Sequence, residues 1–365
     1  MLCPVYHPYN LTVQSALGIE ISTNEGVFLD TFAGIGVLPL GHSHPDVVHA
    51  ITEKVKRFSH LSNYFLDPDA VKVAELLCKM AETEDGHVYF SNSGAEASEA
   101  AIKAIIKNRK GSLVSFMGNF HGRTCGSLSV TWNPVIREPF EPLLPNVAFL
   151  PKDANAFREY AASHDIAGVF LECVQGNSGV LPLPDALIEA VSDLRDSKDY
   201  LIVADEIQAG LGRTGQFFSF QNWDIEPDII TCGKGIGGGL PLGAAIFCDW
   251  SPFAEGDHGS TFAPNPVSLA AGKVILNALT ESFLAEVREK GAYFKEQLQR
   301  LSWAMDIRQL GLMIGVSTEG DAQEIRQKAY ERKVLLNVAG GSVRLLPALN
   351  ITHEEIDEII RRLTF

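Results

Sequence analysis

The sequence predicts an α/β protein, with a large lobe on a mostly parallel, doubly wound sheet joined to a smaller α+β lobe. Three observations carry the prediction. Apolar runs rich in branched residues recur at residues 113–117, 166–172, 200–204 and 228–232, each short enough for a strand buried on both faces. Two of these runs stop abruptly, one in Asp205-Glu206 and the other in Gly233-Lys234-Gly235, as strands do at the carboxyl edge of an open sheet. From Glu281 onward the pattern changes to helix, strand, helix and two short strands, which marks a second lobe. Residues 44–280 are assigned to the large lobe, and residues 1–43 and 281–365 to the small one.

With 365 residues, 46% of them hydrophobic, the chain can bury a substantial core. A formal net charge of −15 argues against nucleic acid or an anionic membrane as a partner. Six cysteines, at 3, 78, 125, 173, 232 and 248, fall without C-x-x-C pairs, which fits a reduced cytoplasmic setting better than a disulfide framework. No charged-then-apolar leader opens the sequence and no apolar run approaches bilayer length. A soluble, cytoplasmic protein is expected.

Residues 1–30 alternate short apolar pieces with turns and read as a small β-meander docked elsewhere. His42 and His44 sit at i,i+2, which on an extended loop points them apart, and no carboxylate or cysteine is placed to help them; no metal site is expected. Asp67-Pro68 supplies an N-cap and a first-turn proline for a core helix carrying Val73, Leu76, Leu77 and Met80. Residues 88–96 read as strand, turn and helix start, with Ser93 and Glu96 as a capping box. The amides of Gly94 and Ala95, at the positive end of that helix, can hold a phosphate. Taken alone this is an ordinary capped helix. Residues 132–160 are rich in proline and read as loop, and 185–196 as an amphipathic helix.

Asp205 and Lys234, on neighbouring strand ends, are the centre of the reading. A lysine flanked by glycines has an unshielded ammonium and a backbone that can approach a ligand closely. An acid facing such a lysine is what pyridoxal phosphate requires: the lysine forms an imine, and the carboxylate keeps the pyridine nitrogen protonated. The run Gly233-Lys-Gly235-Ile-Gly-Gly238 also satisfies G-x-G-x-x-G, but that motif needs a helix to follow, and here an apolar strand at 243–248 follows. A Walker A loop fails because no Ser or Thr follows Lys234. A surface-loop lysine would be the plain reading of this turn without Asp205 beside it.

The stretch 201–243 resembles the signature of class III pyridoxal-phosphate aminotransferases, and further motifs are similar to the acetylornithine aminotransferase branch. The resemblance runs over nearly the whole chain and implies the type I transferase fold, with active sites at a homodimer interface. It implies a phosphate cup at Gly94 and Ala95, Phe120 of GNFHGRTCG stacked on the cofactor ring, and Gln208 near the ring hydroxyl. Arg123 matches the arginine for a substrate carboxylate, and Arg344 of Arg344-Leu-Leu-Pro347 the one that holds an α-carboxylate. Ser260 and Thr261 match a Ser-Thr pair that reaches the substrate and the cofactor phosphate of the neighbouring subunit. One departure stands out: where the family reads E-P-x-Q-G-E-G-G, this chain has Glu172, Gln175 and Gly176 but Asn177 for the second glutamate. Asparagine can hydrogen-bond Arg344 but cannot neutralise it, so Arg344 is expected to be less well masked.

The implied reaction moves the terminal amine of N2-acetylornithine, or another N2-acylornithine, to 2-oxoglutarate, as in arginine biosynthesis. The alternatives are a 4-aminobutyrate or ornithine aminotransferase, an aminomutase or racemase on the same fold, and a catalytically inactive pyridoxal-phosphate-binding protein.

Overall fold

The computed structural model describes residues 2–223 and 225–365. Three antiparallel strands open the chain as a meander: β1 (Val13–Leu17), β2 (Glu20–Thr23) and β3 (Gly26–Asp30). The large sheet then draws on β4 (His87–Ser91), β5 (Ser112–Phe116), β6 (Val147–Leu150) and β7 (Ile166–Leu171). A short hairpin, β8 (Val174–Gln175) with β9 (Leu181–Pro182), intervenes. The sheet is completed by β10 (Leu201–Asp205), β11 (Ile229–Cys232) and β12 (Gly243–Phe247), giving seven strands in the order β4-β12-β11-β10-β7-β5-β6.

Alternation along these strands feeds two separate cores. In β10, Leu201 and Val203 pack beneath the helix Gly94–Asn108 with Ile102 and Ile105, while Ile202 and Ala204 face the other side with Leu187 and Val191 of the helix Asp185–Lys198. Both faces are thus covered, which is why these strands read as continuous apolar runs. The strands pair in parallel except β12, which is antiparallel to both β11 and β4. The segment 233–242 that joins β11 to β12 is too short for a parallel crossover, so the chain must turn back.

Two stretches differ from expectation. Residues 132–160 contain β6 and the start of the helix Ala154–Ser163, capped by Asp153, which its prolines and short apolar pieces concealed. The single strand expected between the two helices that follow Glu281 is a hairpin, β13 (Ala304–Leu310) and β14 (Met313–Thr318), reversing at Gly311. Gly311 has φ +51°, and a Cβ there would come within 2.6 Å of the Arg213 carbonyl oxygen, so the turn demands glycine. Beyond it, β15 (Val334–Leu335) pairs in parallel with β3, while β16 (Asn337–Ala339) and β17 (Ser342–Leu345) extend the hairpin into a four-stranded sheet. The N-terminal meander and the C-terminal segment are therefore joined by backbone pairing. Among the described residues no single helix is long and apolar enough to cross a membrane. The cysteines are free.

Candidate active site

β10 and β11 run side by side in parallel, with Asp205 opposite Thr231. Their carboxyl ends deliver Asp205 and, one glycine further, Lys234 to a single crevice. A cavity of about 270 Å³ lies there, lined by Lys234, Asp205, Gly94, Ala95, Phe120 and Gln208. Arg123 and Asn177 line it too, and both also line an adjoining cavity of about 580 Å³. The sequence-predicted residues from five separated segments thus converge.

Close backbone packing makes the crevice. A Cβ on Gly233 would come within 3.0 Å of the Gly94 nitrogen and Cα, and one on Gly94 within 2.7 Å of Ile207. Only glycine at both positions lets the end of β11 lie against the first turn of the helix Gly94–Asn108. At that turn Ser93 caps the Glu96 amide at 3.2 Å, but Glu96 reaches back to Asn92 N at 2.9 Å and not to Ser93, so the expected box closes one residue early. The Gly94 and Ala95 amides precede the first intrahelical bond and are left facing the cavity.

Lys234 itself adopts φ +46°, a left-handed conformation that a lysine tolerates only under constraint and that is typical of functional sites. Lost hydration pushes its amine down to about 8, with Asp205 and Glu172 pulling the other way. Asp205 is buried; its Oδ2 meets His121 Nδ1 at 2.5 Å, and its Oδ1 accepts the Ile207 N–H at 3.0 Å. Glu206, next in sequence, has a different task. Its carboxylate accepts from the Ser219 amide and hydroxyl and from the Phe220 amide, pinning the loop that follows.

Glu172 is buried as well, accepting the Phe120 N–H at 3.0 Å and the Gly176 N–H at 2.9 Å. Burial first, and Asp205 second, push its carboxyl up to about 7. Arg344 comes from β17 and is 3% exposed. Its Nη1 donates to Gln208 Oε1 at 2.9 Å, to the Gly176 carbonyl at 3.0 Å and to Asn177 Oδ1 at 3.3 Å. Gln208, expected beside the ring hydroxyl, therefore also bridges Arg344 to the cavity. Arg123 is exposed, its guanidinium 5.7 Å from the centre of the Phe120 ring.

Ser260 and Thr261 are not in this cavity. Ser260 Oγ accepts from Asn92 Nδ2 at 3.2 Å, and Thr261 is exposed on the same turn. His42, thought to lack a carboxylate neighbour, lies 2.9 Å from Asp30, far enough away in sequence to escape notice. His121 and Asn337 were not singled out from the sequence. Asp205 and His121 are 84 residues apart, and only the His-Gly pair beside Phe120 pointed toward this position.

A buried amine of lowered basicity, an oriented carboxylate, an aromatic face and unbonded helix amides in one cavity fit pyridoxal phosphate. Fold and site together define a pyridoxal-phosphate-dependent transferase. Comparison with known proteins agrees, the class-III aminotransferase family model matching residues 4–364: the chain belongs to this family and is a pyridoxal-phosphate-dependent transaminase, taking an amino donor and a keto acid. It is 39% identical to an acetylornithine aminotransferase of Corynebacterium efficiens over 95% of this chain and 90% of that one. It is 40% identical to one of Methanopyrus kandleri, over 98% and 94%. Among solved structures it is similar to the N-acetylornithine aminotransferase of Stenotrophomonas maltophilia (TM-score 0.84, 32% identity, 98% and 96% covered). It is also similar to the ornithine aminotransferase of Toxoplasma gondii (TM-score 0.91, 28% identity, 100% and 91% covered).

Proposed function

We propose that this transaminase moves the terminal amine of N2-acetylornithine, or another N2-acylornithine, to 2-oxoglutarate, yielding the semialdehyde and glutamate in arginine biosynthesis. The observation that carries this is a pair of guanidiniums at the Lys234 cavity, Arg123 lining it and Arg344 buried directly behind its lining residues Gln208 and Asn177, with no carboxylate within ion-pair distance of either among the described residues. Two such cations suit substrates with carboxylates at both ends or remote from the reacting amine. The names of the curated relatives supply the acyl group.

Bound pyridoxal phosphate supplies an electron sink that lets a proton leave the carbon bearing the amine. Lys234 Nζ takes and returns that proton, a task suited to an amine near neutral pH. Asp205 would hold its charge against the ring nitrogen of the cofactor, Phe120 would cover one face, and the amides of Gly94 and Ala95 would bind the phosphate. Arg123 grips the donor's carboxylate and Arg344 the α-carboxylate of the acceptor.

Ser260 and Thr261 serve the site of a second subunit in a homodimer. Support comes from the surface beside them, where Tyr64, Phe65, Leu66 and Phe262 are all largely exposed. Asn63 Nδ2 ties this segment to the 260–263 turn through two carbonyls. The division into lobes at 44–280 against 1–43 with 281–365 is supported by the pairing of β15 with β3, and the unpaired cysteines suit a cytoplasmic enzyme.

The test is a profile of amine donors against 2-oxoglutarate. N2-acetylornithine should exceed ornithine and 4-aminobutyrate in kcat/KM. The likeness to an ornithine aminotransferase makes ornithine the second candidate, and a preference for it would replace the acyl reading.

A further inference from the structure

The guanidinium of Arg344 is enclosed by oxygen atoms that are all neutral. Asn337 Oδ1 accepts from Nε at 3.0 Å and from Nη2 at 2.7 Å, while Nη1 is taken by Gly176, Asn177 and Gln208. Among the described residues no carboxylate lies within 4.0 Å of it. Asn337 stands on β16 directly opposite Arg344 on β17, so the clamp is a cross-strand pair built into the sheet. On the other side, a Cβ on Gly176 would come within 1.9 Å of Gln208 Oε1, so glycine there is what allows Gln208 to reach the arginine. Arginine only donates, which fixes the Gln208 oxygen toward Arg344 and leaves the Gln208 NH₂ as the end able to donate elsewhere.

We propose that Asn337 is a positioning residue that, with Gln208, holds Arg344 in a neutral clamp, leaving the site open to an α-carboxylate in both half-reactions. This rests on the transaminase reading above and adds to it how the arginine is masked. A carboxylate entering at Nη1 replaces neutral acceptors by a charged one and forms the stronger bond without first displacing another acid. Asn177 contributes least, at 3.3 Å. The clamp proper is Asn337, whose oxygen serves two of the three guanidinium nitrogens.

The consequence is that dicarboxylates bind the resting holoenzyme, competing with the acylated donor. The probe is glutarate, which has two carboxylates and no group to react, titrated by calorimetry into the cofactor-loaded enzyme. Asn337→Asp keeps the size and the acceptors but adds a charge, and Asn177→Glu adds one at Nη1. Each should raise the Kd for glutarate at least about tenfold, because the arginine is then paired before the ligand arrives. The single-turnover rate with glutamate should fall relative to that with N2-acetylornithine, chiefly through the concentration needed for half-saturation. A merely structural Asn337 would be satisfied by the isosteric aspartate; wild-type glutarate affinity in both variants overturns the proposal. If Asn337→Asp does not fold, Asn337→Ala decides: without the oxygen that holds Nε and Nη2 the guanidinium loses its orientation, glutarate should bind at least about tenfold more weakly, and wild-type affinity overturns the proposal. If the wild type binds glutarate as expected but N2-acetylornithine leaves the cofactor absorbance unchanged, the substrate reading fails and the clamp stands.

Discussion

The Asp205 carboxylate is fixed from two sides, by His121 Nδ1 and by the Ile207 N–H. An ionised carboxylate only accepts, so Nδ1 carries the proton, and the imidazole orients Asp205 and shares its charge. Asp205→Asn should keep the cofactor bound but lose turnover by at least about 100-fold, which is about 2.7 kcal/mol in the barrier. Near-normal steady-state rates in that variant would remove Asp205 from the mechanism. Lys234 gives a second test at this scale. Burial disfavours the ammonium, so its proton leaves at about pH 8, well below the ordinary lysine value of 10.5. In cofactor-free protein, an amine-directed acylating reagent should therefore label Lys234 half-maximally near pH 8, ahead of the surface lysines, as read by mass spectrometry. In the loaded enzyme borohydride should fix the cofactor on Lys234, and Lys234→Ala should abolish that linkage. Trapping on another lysine would refute the assignment.

The elements meet most tightly where the end of β11 crosses the start of the helix Gly94–Asn108. Gly94→Ala would drive a methyl group to 2.7 Å from Ile207, on the loop that follows Asp205. Overpacking of this kind costs about 1–3 kcal/mol, and here it also tilts the amides that face the cavity. A lower denaturant midpoint together with weaker cofactor affinity is expected; wild-type values for both would mean that Ile207 moves aside freely. The sequence disclosed the elements that build this junction because each carries a local signal: an apolar run, an N-cap serine, a glycine pair. It did not disclose the direction of β12, the break at Gly311, or the partners His121 and Asn337. Those depend on connection length, on a carbonyl contributed by Arg213, and on pairings between distant segments, none of which leaves a periodic trace. Asp205 and Glu206 show the same boundary, since strand alternation separates their roles and composition does not.

At the scale of the molecule, Thr261 is the residue that one chain leaves unexplained. It is exposed, outside the Lys234 cavity, and carried on a turn bound to the apolar segment at Tyr64–Leu66, where Tyr64 is 96% exposed. If two copies pair through this surface, each buries the other's aromatic side chains and each Thr261 hydroxyl reaches the partner's phosphate cup. A symmetric interface then makes two shared sites, so defects in different subunits can be separated. Lys234→Ala and Thr261→Ala each impair every site in their own homodimers. In a hybrid of the two, one site carries both substitutions and the other carries neither. Random re-assortment should therefore restore about a quarter of the wild-type sites, measured as activity regained on mixing two impaired proteins. Sedimentation should show a dimer throughout. Failure to regain activity while the subunits demonstrably exchange would place each Thr261 outside its partner's site, and a fully active monomer would remove the dimer from the mechanism altogether.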